Sequence, residues 1–312
     1  MTPPTLLAVP NISEGRDERV IAEIGAAFTD ATAPAAPGAV RLLDVHTDRD
    51  HHRTVFTLAG QPRALSEALL RGTRVAIERV DVMARAHASP EEAGQHPHVG
   101  VVDVAPIVYL DPQARGAACA EALVVGDRIG HELDVPVFLY GELSGEHTAS
   151  ARTRAQLRRG GVAVLAARMA GQEPAIAPDF GPPHVHRGAG ATLVAARPPL
   201  VAFNLQLAPP AGPQDARRVA AMIREGGEHG LPGLRAIGVA LGDGLAQVSM
   251  NVERPLELPL AAVLEAVRAH AQIASAELVG LAPAAAFDGF PPDVPIPGFD
   301  PARHLIENAL RC

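Results

Sequence analysis

The sequence predicts an α/β (α+β) protein of two subdomains, each a mainly antiparallel sheet with helices on one face. Three observations predict it. The chain has 312 residues, long for one hydrophobic core and suited to two of ordinary size. Short apolar runs rich in Val, Leu and Ile alternate with longer segments whose apolar residues recur at helical spacing. A stretch rich in Pro and Gly, "QEPAIAPDFGPPHVHRGAGA", separates two runs of such elements.

In order, "TLLAVPN" reads as a buried strand ended by Pro10. "SEGRDERVIAEIGAAF" reads as an amphipathic helix with Ser13 as its N-cap. "AVRLLDVHTD" and "RDHHRTVFTLAG" read as a hairpin, because the gap between them is short and polar. "PRALSEALLRGTRVAIERV" is a second helix, "HPHVGVVDVAPIVYL" leads into a fourth strand, "ARGAACAEALVVGDRIGHEL" is a third helix, and "VPVFLYGE" is a strand. The β-α-β-β-α-β part of this order is the ferredoxin-like split βαβ pattern. A dinucleotide-binding sheet is disfavoured, because no G-x-G-x-x-G follows the first strand. "ASARTRAQLRRGGVAVLAARMAG" is an Arg-rich helical segment broken by Gly160 and Gly161.

The Pro/Gly-rich stretch places a boundary between residues 1–180 and 181–312. Beyond it, "ATLVAARPPLVAFNLQLA" reads as two strands around a Pro-Pro turn. "PQDARRVAAMIREGG" is a helix, and "LRAIGVALGDGLAQVSMNVE" is a strand pair turning at Gly-Asp-Gly. "PLAAVLEAVRAHAQIA" is a helix, "AELVGLAP" a strand and "DPARHLIENALR" a terminal helix. "FDGFPPDVPIPGFD" reads as an exposed connection. The second half thus resembles the first in size and kind of element, without sequence repeat.

Composition narrows the function. Hydrophobic residues make up 47% and charged residues 20%, enough apolar surface for a folded core. Net charge is −8 with no basic run, which excludes a nucleic-acid groove and leaves an anionic ligand dependent on a local Arg cluster. Two cysteines make neither a disulfide framework nor a Cys-rich zinc site. No apolar run reaches the length of a membrane span, and the N-terminus lacks a basic region and a long apolar stretch, so a cytoplasmic protein with no membrane partner is expected.

Seven of the thirteen histidines cluster in "DVHTDRDHHRT" (His46, His51, His52), "HPH" (His96, His98) and "HVH" (His184, His186). In extended chain, positions i and i+2 point to one side, so His96 with His98, or His184 with His186, could converge on one metal ion. A histidine also suits proton transfer near neutral pH, and His96 is the candidate. Asp103 is an acid inside an apolar strand: it either caps a turn amide or orients a catalytic histidine. Arg53 offers a fork that matches a carboxylate. "GPPHVHRGAG" supplies two glycines, a basic residue and backbone amides, the ingredients of a pocket for a flat ring or an anion. No G-x-S-x-G elbow, Walker lysine motif or H-E-x-x-H is present.

Over nearly its whole length the chain resembles the formiminotransferase domain family. The resemblance rests on "VPNISEGRD", "LLDVHTDRDHHRTVFTLAG", "HPHVGVVDVAPI", "VPVFLYGE", "APDFGP", "GAGAT", "VAFNLQL", "AIGVAL…LAQVSMNV" and "ELVGLAP", in that order. It implies transfer of a formimino group from N-formimino-L-glutamate to N-5 of tetrahydrofolate, with tetrahydrofolate as co-substrate and no metal. His96 takes the place of the family's catalytic histidine, with Asp103 orienting it or assisting proton transfer. Arg53, with His52, Asp44 and His98, is expected to bind the donor. The loop of Gly181, Pro182, Pro183, His184, Val185, His186, Arg187, Gly188, Ala189 and Gly190 matches the family's folate-binding loop. The resemblance also implies a homodimer and a separate cyclodeaminase as partner. Gln95, His98 and Ala189 differ from the animal motif. These differences motivate an alternative, a formyl-transferring or folate-binding relative with another donor. The histidine clusters motivate a second, a metal-dependent enzyme.

Overall fold

The structure is a computed structural model and describes residues 3–29, 39–85, 97–144 and 152–311. His96 and Gln95 lie outside the described residues. The chain divides into two compact units, residues 1–198 and 199–312.

The first unit is built on a seven-stranded mixed sheet. Strands β1 (Leu6–Ala8) and β2 (Asn11–Ile12) are one extended segment interrupted at Pro10. Pro10 has no N–H to give, but its carbonyl still accepts from the Phe56 amide at 3.0 Å. Helix α1 (Glu18–Thr29) follows, then the hairpin β3 (Arg41–Asp48) and β4 (Arg53–Gly60), helix α2 (Ala64–Arg79) and strand β5 (Val102–Val108). The order β3-β4-β1/β2-β5 is antiparallel throughout and is the ferredoxin-like arrangement. Helix α3 (Arg115–Glu132) crosses to β6 (Val137–Leu139). Helices α4 (Arg154–Arg158) and α5 (Gly161–Met169) lead back to β7 (Thr192–Arg197). Strand β7 inserts between β5 and β6, parallel to both.

Helix α1 buries Ile21, Ile24 and Phe28, the positions its periodicity predicts. Its N-terminus differs from expectation. The Asp17 carboxylate accepts from the Arg19 and Val20 amides at 3.0 and 3.1 Å, while the Ser13 hydroxyl donates to the Gly100 carbonyl at 2.7 Å. Asp17, not Ser13, is the cap. Helix α2 is capped from a distance: Glu121 of α3 accepts from the Arg63 and Ser66 amides at 2.9 and 2.8 Å.

One core lies between this sheet and α1, α2 and α3, with Leu6, Ile24, Phe28, Phe56, Leu58 and Leu69 fully buried. The parallel half is covered on its other face too, where Val104, Phe138, Leu193 and Ala195 pack with Leu157 of α4 and Leu165 of α5. Parallel strands bury both faces, which is why β6 and β7 read as continuous apolar runs. Residues 192–197 were expected to pair with 201–207 across a Pro-Pro turn in the second subdomain. Instead Pro198–Pro199 links two separate sheets, and the division falls there, later than the expected 180/181. Pairing decides it, because β7 bonds to β5 and β6.

The second unit runs β8 (Val201–Leu207), α6 (Pro213–Ile223), β9 (Leu234–Ala240), β10 (Ala246–Val252), α7 (Leu260–Arg268), β11 (Ile273–Val279). Its four-stranded sheet, order β11-β8-β10-β9, is antiparallel. Phe203, Leu205, Val248 and Met250 alternate into a core with Val219, Ile223, Val263 and Leu264. The segment expected as an exposed connection folds onto this core. Phe287 lies 4.7 Å from Phe299 and 5.7 Å from Phe290, and Phe290 meets Phe203 edge-on at 5.9 Å. The terminal helix is two short turns, α8 (Pro301–His304) and α9 (Ile306–Ala309), separated by extended Leu305. No described helix is long and apolar enough to cross a membrane.

Candidate functional site

Three loops of the first unit meet at one end of its sheet. The first follows β2. The Ser13 amide donates to the Val101 carbonyl at 2.8 Å, and the Glu14 carbonyl accepts from the Thr54 hydroxyl at 2.6 Å. A Cβ on Gly15 would overlap the Asp48 carbonyl oxygen and the Arg53 nitrogen, so only glycine lets this loop lie against the β3–β4 turn. The second is the segment entering β5. The third is the 181–190 loop, which enters β7. Gly100 and Gly190 form an antiparallel bridge between the last two. The Val101 amide donates to the Ala189 carbonyl and the Ala191 amide to the Val99 carbonyl, both at 2.9 Å.

His52 ends the β3–β4 turn with φ 49, a left-handed region uncommon outside glycine, in which Asn, Asp and His are the most frequent other residues. Its ring is buried. The Gly15 amide donates to Nδ1 at 3.0 Å, and Arg85 Nη1 lies 3.0 Å from Nε2. The Gly15 amide needs a bare Nδ1, so the neutral ring carries its proton on Nε2, and an imidazolium could not accept at Nδ1 at all. Burial lowers its pKa most. Glu14 opposes that, but the charges of Arg85, Arg16 and His98 add to it, and His52 is pushed down to about 4. Arg85 Nη2 in turn donates to Glu14 Oε2 at 2.8 Å. Burial would raise the Glu14 carboxyl. The hydrogen bonds from Arg85 and from the Arg16 and Asp17 amides, with His52 nearby, overturn that and hold it below the ordinary range. His52, expected to bind the donor, is therefore committed to a Gly15–Arg85–Glu14 network. His98 lies half-buried within electrostatic reach of it.

Arg53 is half-buried at the start of β4, opposite Asp48 on β3. Its guanidinium makes no hydrogen bond or ion pair with a described residue. Burial, then the neighbouring Arg158, pulls its pKa down to about 10 against the opposing pull of Asp103 and Asp48. Asp44 stands further along β3, half-buried and opposite Thr57.

Asp103 is 1% exposed. Its Oδ1 accepts from the Val99 amide at 2.9 Å, and its Oδ2 is ion-paired with Arg158. Both oxygens are thus taken, one by the turn amide and one by a cation that sequence reasoning missed. Arg158 ends α4. Thr153 and Gln156 start that helix with a reciprocal capping box, and Gly160 and Gly161, at φ 77 and 70, end it. Two arginines just before a Gly-Gly break were the available signal.

The 181–190 loop is positioned by glycines at both ends, Gly181 at φ 82 and Gly190 at φ 70. Its amides were expected to be free for a ligand. Four of them are taken. His186 and Gly190 exchange backbone bonds at 2.8 and 3.0 Å, and the Gly188 and Ala189 amides donate to His186 Nδ1 at 3.2 and 2.9 Å. His186 therefore holds the loop's shape with its proton on Nε2. Ala189 is buried in the core. His184 and Arg187 are exposed, and with Asp134, Pro182, Val185 and His186 they line an open cavity of about 310 Å³. The expected convergence of His184 and His186 on a metal is not what the loop builds, since His186 turns Nδ1 to its own backbone. Among the described residues no three His, Cys, Asp or Glu side chains are grouped to hold a metal ion.

The fold and these loops define an α/β protein of two ferredoxin-like units whose first unit gathers a buried histidine, the Arg53 guanidinium and a glycine-bounded loop. The chain belongs to the formiminotransferase domain family, whose N-terminal subdomain matches residues 5–197. It is 34% identical to a glutamate formimidoyltransferase of Streptococcus pyogenes serotype M1, over 97% of both chains. It is 36% identical over 286 residues to a formimidoyltransferase-cyclodeaminase of Gallus gallus, covering 88% of this chain and 49% of the relative. A glutamate formimidoyltransferase of Thermoplasma acidophilum is 31% identical, over 88% of this chain and 87% of its own length. The chain thus spans about half the length of its bifunctional relative.

Proposed function

We propose that this protein is an enzyme that transfers a formimino group from N-formimino-L-glutamate to N-5 of tetrahydrofolate. The observation that carries the reading is the end-to-end match to a glutamate formimidoyltransferase, 34% identical over 97% of both chains. The N-5 lone pair adds to the formimino carbon, and a tetrahedral intermediate forms. The bond from that carbon to the glutamate nitrogen then breaks, and glutamate leaves as the amine. The proton lost from N-5 must reach the leaving nitrogen. His96 carries it, as base and then acid, which contributes roughly 100- to 10,000-fold. Aligning the two bound substrates contributes the larger remainder. Addition, elimination and proton transfer need no metal.

In this reading Asp103 is a positioning residue: through the Val99 amide it fastens the segment that carries His96. Arg53 holds a donor carboxylate, with His98 and Asp44 beside the donor. His52 keeps the Arg53 turn in place through Gly15. The 181–190 loop takes the folate, with Arg187 facing the pterin or the folate glutamate tail. The same reading makes the protein a cytoplasmic homodimer whose product passes to a cyclodeaminase.

The test is a steady-state assay of purified protein with tetrahydrofolate and N-formimino-L-glutamate, following glutamate release. Folate-dependent release is expected. No release with tight folate binding would replace the donor, and neither release nor folate binding would overturn the reading.

A further inference from the structure

We propose that the contact between His52 and Arg85 marks a subsite for an uncharged lactam, whose carbonyl oxygen accepts from both side chains and whose N–H donates to Glu14. That this lactam is the pteridine ring of tetrahydrofolate rests on the function proposed above.

The contact lacks an acceptor. His52 takes the Gly15 amide on Nδ1 at 3.0 Å, so its proton sits on Nε2. Arg85 Nη1 stands 3.0 Å from that same Nε2, and a guanidinium only donates. Two N–H groups thus face each other at a side chain that is 6% exposed, and a buried donor calls for a lone pair. Both residues line an open cavity of about 670 Å³, far larger than the ~30 Å³ share of one water and of the size that small ligands fill. The Arg85 side chain is 29% exposed, so it can part from the ring and admit an oxygen.

The subsite lacks a lone pair rather than a charge. Burial holds the His52 ring neutral, with its pKa down to about 4. Arg85 already pairs with Glu14 at 2.8 Å. Arg19 and Arg79, which line the same cavity, both pair with Glu23, at 3.0 and 2.7 Å. A carbonyl oxygen therefore suits the place better than a carboxylate. Glu14 supplies the complement. Its Oε1 takes the Arg16 and Asp17 amides at 2.9 and 3.0 Å, its Oε2 takes Arg85, and a carboxylate oxygen accepts more than once. An acceptor oxygen beside an N–H is the edge of a lactam. The turn that carries Arg85 is bonded to the 181–190 loop, where the Val82 amide donates to the Gly188 carbonyl at 2.9 Å. A ring seated here leaves that loop for the tail of the folate.

Titration of the full-length protein with pterin, a 4-oxo lactam, and with 2,4-diaminopteridine, which carries an amino group in place of that oxygen, tests this. The 4-amino ring would set a third donor against His52 and Arg85, so wild type should bind pterin roughly ten- to hundred-fold more tightly. Arg85→Lys keeps a charge for Glu14 but loses the fork, and should reduce that preference about ten-fold. Thermal unfolding checks that the variant stays folded. In turnover it should raise KM for tetrahydrofolate without raising KM for N-formimino-L-glutamate. Wild type that fails to bind pterin, or that binds the 4-amino ring as tightly, overturns the subsite, while glutamate release from the same sample decides the transferase reading separately. A preference that Arg85→Lys leaves unchanged overturns the assignment to Arg85. A pterin preference lost in Arg85→Lys, in a protein that transfers no formimino group, supports the subsite and removes the proposed transfer.

Discussion

Gly100 and Gly190 face each other across an antiparallel bridge that joins the segment entering β5 to the loop entering β7. The approach is closer than any side chain permits. A Cβ on Gly100 would overlap the Ala191 and Ala189 carbonyl oxygens, and Gly190 holds φ 70. The bridge is what brings the segment entering β5 beside the 181–190 loop. Gly100→Ala should cost more than about 3 kcal/mol and lower Tm by on the order of 10 °C. Thermal unfolding measures it, and a Tm within two degrees of wild type would mean the bridge is not closely packed.

His52 makes stability depend on pH. Its folded pKa, about 4, lies below the ordinary 6.5, so between these values the unfolded chain binds more protons than the folded one. Stability from this group is complete above about pH 6.5 and is lost as pH falls toward 4. His52→Asn tolerates the same backbone and does not titrate. Wild type should lose on the order of 2 kcal/mol more than this variant between pH 7 and pH 4.5. Parallel pH curves would assign acid sensitivity to Glu14 instead.

His186 is the internal acceptor of the 181–190 loop. His186→Ala leaves the Gly188 and Ala189 amides without their ring partner and should cost about 1–2 kcal/mol. Folate binding, read by calorimetry, should weaken with it, and His186→Asn should recover part of both. A variant with normal stability and reduced folate affinity would make His186 a direct ligand contact.

His96→Ala should reduce formimino transfer by roughly 100- to 10,000-fold. KM for both substrates and Tm should change little, because the residue is assigned to proton transfer. Retained turnover would remove it from the mechanism.

Much of the site was legible for local reasons. The hairpin carrying His52 and Arg53 follows from two apolar runs and a short polar gap, and an acid inside an apolar run marks Asp103 as a buried group that needs partners. Its partner was not legible, because Arg158 lies 55 positions away on a helix that packs on the sheet's second face. Ser13 misled for the same reason. It looks like a cap for the helix beside it, yet its hydroxyl reaches Gly100, 87 positions on. Side-chain hydrogen bonds obey distance in space, and nothing in a run of neighbours records it.

By itself the sequence determined the kinds of element, their order and the apolar face of each, because periodicities of two and 3.6 residues are local properties of a chain. It also determined the family, through motifs spread along the whole length. The tertiary structure alone decided that residues 192–197 join the first sheet, that Asp103 serves Arg158 and Val99, and that the 181–190 amides close on His186. Each of these outcomes depends on which distant segments close against each other. That choice is made by strand pairing and by the need of every buried polar group for a partner.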